Sequence, residues 1–292
     1  MSTVPSIRVI IVNYNAGEII VPCVASVLET GEDIRITVFD NASSDRSMQL
    51  LNNSYAGHQH IELIQNDENI GFSRAINAVA KAAKEEYLLI LNPDCELFPF
   101  ALGHLKQALE TDHSAALAGP LVVNRQGVVQ KGTLRHFPDP WKSFLTFSGL
   151  WRLESLFPSI QGVDRHQAEL PIENATAEAV SGACMLLRRN QFMQLGCMDE
   201  EYGLHCEDLD LMYRLHLQGY HCLLVPTARV FHRQGVSSRS RPFWVHRQKH
   251  LGMQRFFRKF QAERHSLPVR WLVIGGIWLR FALTLPLIWI RS

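Results

Sequence analysis

The chain has 292 residues, 47% of them hydrophobic and 20% charged, which excludes a disordered protein and suits one large or two small domains with an ample core. Its net charge of +1 hides an asymmetry: from Arg229 onward 13 Lys/Arg oppose one acid, Glu263, so the preceding part is acidic and the two ends face different things. Six cysteines (Cys23, Cys95, Cys184, Cys197, Cys206, Cys222) form no C-x-x-C pair and follow no signal peptide; this points to reduced thiols in a cytosolic domain and away from zinc.

Ile7 to Val12 is a β-branched run that predicts a first strand, leading into a turn at Asn13-Tyr14-Asn15 with one exposed aromatic. A helix is expected from Glu18 to Thr30, ended by Gly31. Ile34 to Phe39 reads as a second strand closed by Asp40; Ser43, Ser44 and Asp45 are explained by capping of the next helix. Ile61 to Gln65 is a short third strand, Asn66 to Gly71 a loop, and Phe72 to Lys84 a helix whose alanines allow close approach to a sheet. No G-x-G-x-x-G follows the first strand, so a dinucleotide-binding fingerprint is absent.

Tyr87 to Leu91 organises the chain. It is apolar throughout, as expected of a strand covered on both faces, and it stops at Asn92-Pro93 because proline cannot donate to a sheet ladder. Asp94 and Glu96 then sit past the carboxyl end of a central strand, where open α/β sheets hold ligands. Carboxylates there are placed to grip a divalent metal and, through it, phosphate oxygens. Strands and helices alternate with short connections, which implies a mostly parallel sheet flanked by helices.

Phe100 to Glu110 predicts a further helix and Ala115 to Val123 another strand. From Arg135 to Asn174 the pattern dissolves into a long functional loop with short helices, or a mobile flap. Ala177 to Arg188 is a strand interrupted at Ser181-Gly182-Ala183, where small residues let another chain or a ligand approach the backbone. A helix begins near Asp208 and is capped by Gly219. Glu207, Asp208 and Asp210 suit its positive end, yet three acids exceed what capping needs. Cys222 to Pro226 and Ala228 to Phe231 are short strands, the second closed by His232.

Seven segments, in order, carry a resemblance: VNYN around Asn13, VFDNASSD at Val38, ENIGFSRAIN at Glu68, LNPDCEL at Leu91, VSGACMLLRR at Val180, CEDLDLMYRLHLQGY at Cys206 and VFHRQGVSS at Val230. Over about Ile7 to Ser238 the chain resembles the family 2 glycosyltransferases, and within them the bacterial rhamnosyltransferase-like branch. The resemblance implies an α/β fold of the GT-A type, with a nucleotide-sugar-binding half at 1–97 and an acceptor-binding half at 98–238. It implies transfer with inversion from a nucleotide-diphosphate sugar, dTDP-L-rhamnose being the donor the branch suggests, to a cell-surface glycan or lipid-linked acceptor.

Residue by residue, Tyr14 matches the aromatic beside the nucleobase, Asp40 the acid that bonds base or ribose, and Arg74 a basic residue that reaches the nucleotide. Asp94 matches the last acid of the family's metal-binding D-x-D, and Asn92 stands where the first acid often does, so binding of Mg²⁺ or Mn²⁺ leans on one carboxylate. Asn92 is grouped with the nucleotide-sugar contacts. His232 matches a histidine that completes the metal and diphosphate site, and Asp208 matches the catalytic base, with Glu207 next in line. The chemistry agrees: a cation neutralises the leaving diphosphate, and inversion needs one protein base. An inactive nucleotide-sugar-binding membrane scaffold is disfavoured by the presence of both Asp94 and Asp208. A nucleotidyltransferase would want a Gly-rich phosphate loop, which NYNAGE does not supply.

In the tail, 239–292, basic residues interleave with Phe243, Trp244, Phe256, Phe257 and Phe260 and lead into the apolar stretch Trp271 to Ile290, broken once by Arg280. That continuation favours an anionic membrane surface over nucleic acid as the partner. At 100° per residue Trp271, Trp278 and Trp289 fall within about 20° of one another, with Arg280 opposite. Such a helix suits the interface plane better than a span, because Arg at the bilayer centre costs about 2.5 kcal/mol or more; a span and a buried oligomer helix are the other readings. Arg247, Lys249, Arg255, Arg258 and Lys259 are expected to face anionic lipid, putting the protein on the cytoplasmic face of the inner membrane.

Overall fold

The computed structural model describes residues 6–153, 162–164, 170–233 and 241–291. Its first half runs β1 (Ile7–Asn13), α1 (Ile20–Leu28), β2 (Ile34–Asp40), α2 (Ser47–Tyr55), β3 (Ile61–Gln65), α3 (Phe72–Ala82) and β4 (Tyr87–Leu91). Then come β5 (Cys95–Leu97), α4 (Ala101–Thr111), β6 (Ala115–Val123), β7 (Leu134–Arg135), α5 (Pro140–Ser148), β8 (Ala175–Ala177), β9 (Ala179–Val180) and β10 (Cys184–Arg188). The chain closes with α6 (Arg189–Gln194), α7 (Glu207–Leu217), β11 (His221–His232), α8 (Pro242–Phe260) and α9 (Leu267–Arg291).

One sheet carries the order β3-β2-β1-β4-β10-β6-β11-β5, with β8 beside β11. From β3 to β4 every pairing is parallel, as the alternation predicts. β10 then enters antiparallel between β4 and β6, so the second half is mixed. The cause is connectivity: the chain reaches β10 through β7 to β9, not through a crossover helix from β6. β5, at the far edge, pairs antiparallel with the end of β11, setting Cys95 opposite His232.

β11 is one strand where the sequence suggests two. Proline cannot donate to the ladder, and Pro226 falls in the register shift between Val225 and Arg229 along the β6 edge. The apolar runs of β1 and β4 are explained by burial on both faces. Ile7, Val9, Ile11, Leu89 and Leu91 join the core under α1 and α4, while Ile10, Val12, Leu88 and Ile90 join the core under α3 and α7.

The tail is tied to this body. Phe256 of α8 is buried in the second core, edge-on to Tyr213 of α7 at 5.4 Å between ring centroids. Arg255 pairs with Asp199 and Glu201, and Lys259 with Asp199 and Asp210. Two of the five bases expected to face lipid are therefore engaged within the protein. α9 packs on α8: Trp278 Nε1 donates to Gln254 Oε1 at 2.6 Å, and Phe281 stacks on His246. This sets the rotation of α9. Its outward face is Trp271, Leu272, Leu279, Leu283 and Leu287, whereas Trp278 is turned onto α8 instead of lying beside Trp271. The end of the VFHRQGVSS segment and the 238/239 boundary lie outside the described residues, as do 154–161 and 165–169.

Removing the Phe256 ring should cost about 3–5 kcal/mol, the usual loss for a buried Phe→Ala. Urea unfolding of Phe256→Ala measures it; a loss below about 1 kcal/mol would show that α8 is peripheral to the core.

Candidate active site

The site is assembled at the carboxyl ends of β1, β2 and β4, and the 181–183 turn joins its two sides. On the first side, two loops are laced together. Asn13 Nδ2 donates to Asp40 Oδ1 at 2.7 Å and to Ser47 Oγ at 2.8 Å, and the Ser43 amide donates to Asp40 Oδ2 at 3.1 Å. Asp40 is thus fully buried, with both oxygens engaged in holding the turn after β1 to the turn after β2. Asn15 adopts φ +54°, and its Oδ1 accepts from the Ser44 amide at 2.8 Å. Of Ser43, Ser44 and Asp45, only Asp45 bonds to the start of α2, accepting from the Ser47 amide at 3.0 Å; the serines hold the Asn15 loop instead. Tyr14 stands half-exposed on the loop, with the Arg241 guanidinium 5.8 Å from its ring centroid. Arg74 is exposed on α3, and its Nε lies 3.5 Å from Glu200 Oε2.

After β4 the chain turns at Asn92, whose amide donates to Ala183 O at 2.9 Å and whose carbonyl accepts from the Cys95 amide at 3.1 Å. This hairpin, with the β5–β11 pairing, brings Asp94 Oδ1 to 3.3 Å from His232 Nε2. The potential ligand atoms of Asp94, Cys95 and His232 lie within 4.8 Å of one another. Burial first, and the nearby Asp94 second, push the Cys95 thiol well above its ordinary value, which keeps it protonated and a poor ligand for a hard cation. Asp94 and His232 are the two of this group whose donors would suit a divalent ion. Glu96, the other carboxylate expected here, lies outside that group, on β5 opposite Phe231. Successive residues of a strand point to opposite faces, but Asp94 precedes the strand and escapes that alternation.

On the other side, Asp208 enters at the start of α7. His205 and Cys206 precede it with φ of +68° and +70°, left-handed conformations that non-glycine residues adopt at a cost of about 1–3 kcal/mol and that cluster at functional sites. Asp208 Oδ2 is 2.5 Å from Arg135 Nη2, and its Oδ1 accepts from the Leu209 amide at 2.8 Å. Arg135 also donates to Val180 O. Burial pushes the Asp208 carboxyl up, but the Arg135 guanidinium outweighs it and holds the group below the ordinary carboxylate value. Glu207 has the opposite environment. Its Oε2 is buried without a partner, and burial followed by the Asp208 charge pushes its pKa to about 8. Asp210, the third acid, accepts from Arg214 and Lys259 inside the fold.

The 181–183 turn connects the sides. Ala183 O accepts from the Asn92 amide and from Cys95 Sγ, while a Cβ on Gly182 would lie 2.6 Å from Asp208 Oδ2. The small residues singled out in the sequence thus admit a carboxylate of the protein itself. Arg135 was not legible: it opens a stretch without periodicity, and only its antiparallel pairing with Ala179 aims it at Asp208.

A family model described as glycosyl transferase family 2 matches residues 8–195. The N-acetylglucosaminyl-diphospho-decaprenol L-rhamnosyltransferase of Mycobacterium tuberculosis is 27% identical, over 93% of this chain and 90% of its own. The rhamnosyltransferase WbbL of Escherichia coli K12 is 25% identical, over 80% of this chain and 86% of its own. Among solved structures, a mannosyltransferase of Pyrobaculum calidifontis, in complex with GDP-Man and Mn²⁺, superposes with a TM-score of 0.60 at 17% identity, covering 98% of this chain and 72% of that one. GalNAc-T7 with UDP, GalNAc and Mn²⁺ gives 0.64 at 16% identity, over 90% of this chain and 49% of that chain. These likenesses show the fold, which is GT-A.

Glu207 also makes a stability prediction. A carboxyl that titrates near 4.5 when unfolded and about 8 when folded keeps its proton only in the native state across that window, so stability falls as pH rises through it. Glu207→Gln removes this contribution. Its melting temperature should exceed that of the wild type by more at pH 8 than at pH 5; an equal offset at both would mean that Glu207 is not held neutral.

Proposed function

Because the chain belongs to the family 2 glycosyltransferases, we propose that it moves a sugar from a nucleoside-diphosphate donor at Asp94 and His232 to an acceptor hydroxyl deprotonated by Asp208. The observation that carries this reading is the shared turn: Ala183 is bonded to the metal-side hairpin while Gly182 lies against Asp208. One rigid connection therefore spaces the donor's diphosphate group from the base.

Asp94 and His232 would hold a divalent ion, which would neutralise the charge of the leaving diphosphate. The protein's own residues do the rest. Tyr14 offers its ring to the nucleobase, and Arg241, beside that ring, and Arg74, on α3, offer cations to the nucleotide. Asp40 acts through the loops it holds, and Asn92 through the turn that aims Asp94. Asp208 takes the acceptor proton from the face opposite the leaving group, which yields inversion with one base. Arg135 keeps Asp208 ionised and oriented, while Glu207, held neutral beside it, adds no second charge to the pair.

The donor favoured is dTDP-L-rhamnose, from the rhamnosyltransferases among the relatives, and the acceptor a lipid-linked glycan, from the diphospho-decaprenol in the first relative's name. The position of α9 supports that choice. Leu267–Ile288 is long and apolar enough to cross a membrane, and its outward face is wholly apolar. Exposed Arg247, Arg258 and Arg264 accompany it, which fits an anionic leaflet on the cytoplasmic side.

Asp208→Asn should lower transfer by about 10²–10⁴-fold with nucleotide binding nearly intact, whereas Glu207→Gln, matching the neutral form, should stay near wild type at neutral pH. Reversal of that order, read from initial rates, would hand the base role to Glu207. Asp94→Ala should weaken nucleoside-diphosphate binding in Mn²⁺ and make it insensitive to chelator, as titration calorimetry would register. Wild-type turnover that survives exhaustive chelation would remove the metal from the reading.

A further inference from the structure

Two cations, Lys249 and Arg280, stand together on the face of α8 that carries Met253, and the carboxylate that Lys249 feels, Asp164, acts on it less than Arg280 does. Lys249 lies on α8 one turn before Met253, and Arg280 of α9 donates from Nη1 to Met253 Sδ at 3.5 Å. Neither Lys249 nor Arg280 is in an ion pair among the described residues. Their neighbours on α8 differ, since Arg255 and Lys259 each hold two acids. Lys249 is solvent-exposed, yet protein surrounds it closely enough to push its ammonium below the ordinary value, by lost hydration first and by Arg280 second. Lys249 stands beside the approach to the base: Gly252, three residues on in α8, lies against His205 and Cys206, which lead into Asp208.

Two like charges side by side are unfavourable until an anion lies between them, and a phosphate or diphosphate offers the charge and the acceptors to do so. Past the cations the surface turns apolar. The Arg280 guanidinium lies 6.0 Å from the Phe147 ring centroid. Phe144 and Trp141, stacked at 5.8 Å, continue along α5 at 50% and 59% exposure. A cation pair that opens onto an exposed aromatic helix face beside a membrane-type helix matches a molecule with an anionic head and a long hydrocarbon tail.

We propose that Lys249 and Arg280 bind the phosphate or diphosphate of the lipid-linked acceptor, whose hydrocarbon chain leaves along the aromatic face of α5 beside α9. This rests on the lipid-linked acceptor reading above and names the residues that recognise it. The donor's diphosphate is separate, on the other side of the 181–183 turn.

The full-length protein in detergent, with chelator present to silence the metal pair, is titrated with farnesyl diphosphate, farnesol and inorganic diphosphate. Farnesyl diphosphate should bind at least about tenfold more tightly than either half-molecule, and Lys249→Gln or Arg280→Gln should each weaken it about tenfold while leaving farnesol unchanged. Lys249→Arg should retain most of the affinity. Protection of Lys249 from acetylation by farnesyl diphosphate, read by mass spectrometry on the unsubstituted protein, tests the same contact without relying on a variant that folds. No binding to the wild type, equal binding to the Gln variants, or no protection overturns the proposal. Phosphatidylglycerol vesicles separate the sources of phosphate: Gln variants that lose flotation but keep farnesyl diphosphate affinity would mean that the pair reads bulk headgroups, and the proposal fails. A panel of nucleotide sugars reports on the underlying reading. If the wild type hydrolyses none of them while farnesyl diphosphate behaves as expected, the transferase assignment fails and the anion site stands.

Discussion

The approach of Gly182 to Asp208 is the constraint on which the site depends. Any side chain at 182 would place its Cβ 2.6 Å from a carboxylate oxygen, and the 181–183 turn cannot retreat because Ala183 is bonded to the Asn92 hairpin. The strand before the turn is equally confined: a Cβ on Gly119 would lie 2.6 Å from Val180 Cγ2. Two glycines thus allow β9 to lie against β6 and α7 to close onto the turn. Packing at interior density transmits such a constraint: the 181–183 backbone lies against the Asp208 side chain on one side and is bonded to the Asn92 hairpin on the other.

On this frame, two adjacent carboxylates receive opposite environments. Asp208 faces Arg135 and stays ionised; Glu207 is turned into the protein with an unpaired oxygen and keeps its proton to about pH 8. Environments that push neighbouring titratable groups apart leave one of the pair charged and the other neutral. Left-handed backbone at His205 and Cys206 leads directly into this pair.

The tail links this chemistry to a surface. α8 is fastened to the body by Phe256 and by the Arg255 and Lys259 ion pairs, and α9 is fastened to α8. α8 therefore presents one face to the core and another to the helix with the apolar outer surface.

Local pattern in the chain was sufficient for the doubly covered strands β1, β2, β4 and β6, for the helices that alternate with the first three, and for the carboxylates at the strand ends. Continuous apolar runs, proline stops and helical spacing are nearest-neighbour signals and survive without knowledge of the fold. The motifs around Asp94, Asp208 and His232 also carried the family. Contacts between segments far apart in sequence were decided only by the tertiary structure. Arg135 and Asp208 are 73 residues apart and have no shared periodicity, so their pairing follows from β7 meeting β9. The antiparallel entry of β10 follows from which edge the chain returns to, which hydrophobicity does not encode. The rotation of α9 is the same kind of fact. A helical wheel puts Trp271 and Trp278 on one side, but docking on Gln254 and His246 turns one of them inward and leaves the other to the surroundings. Spacing along a helix fixes which residues share a face, while only packing fixes which face is covered.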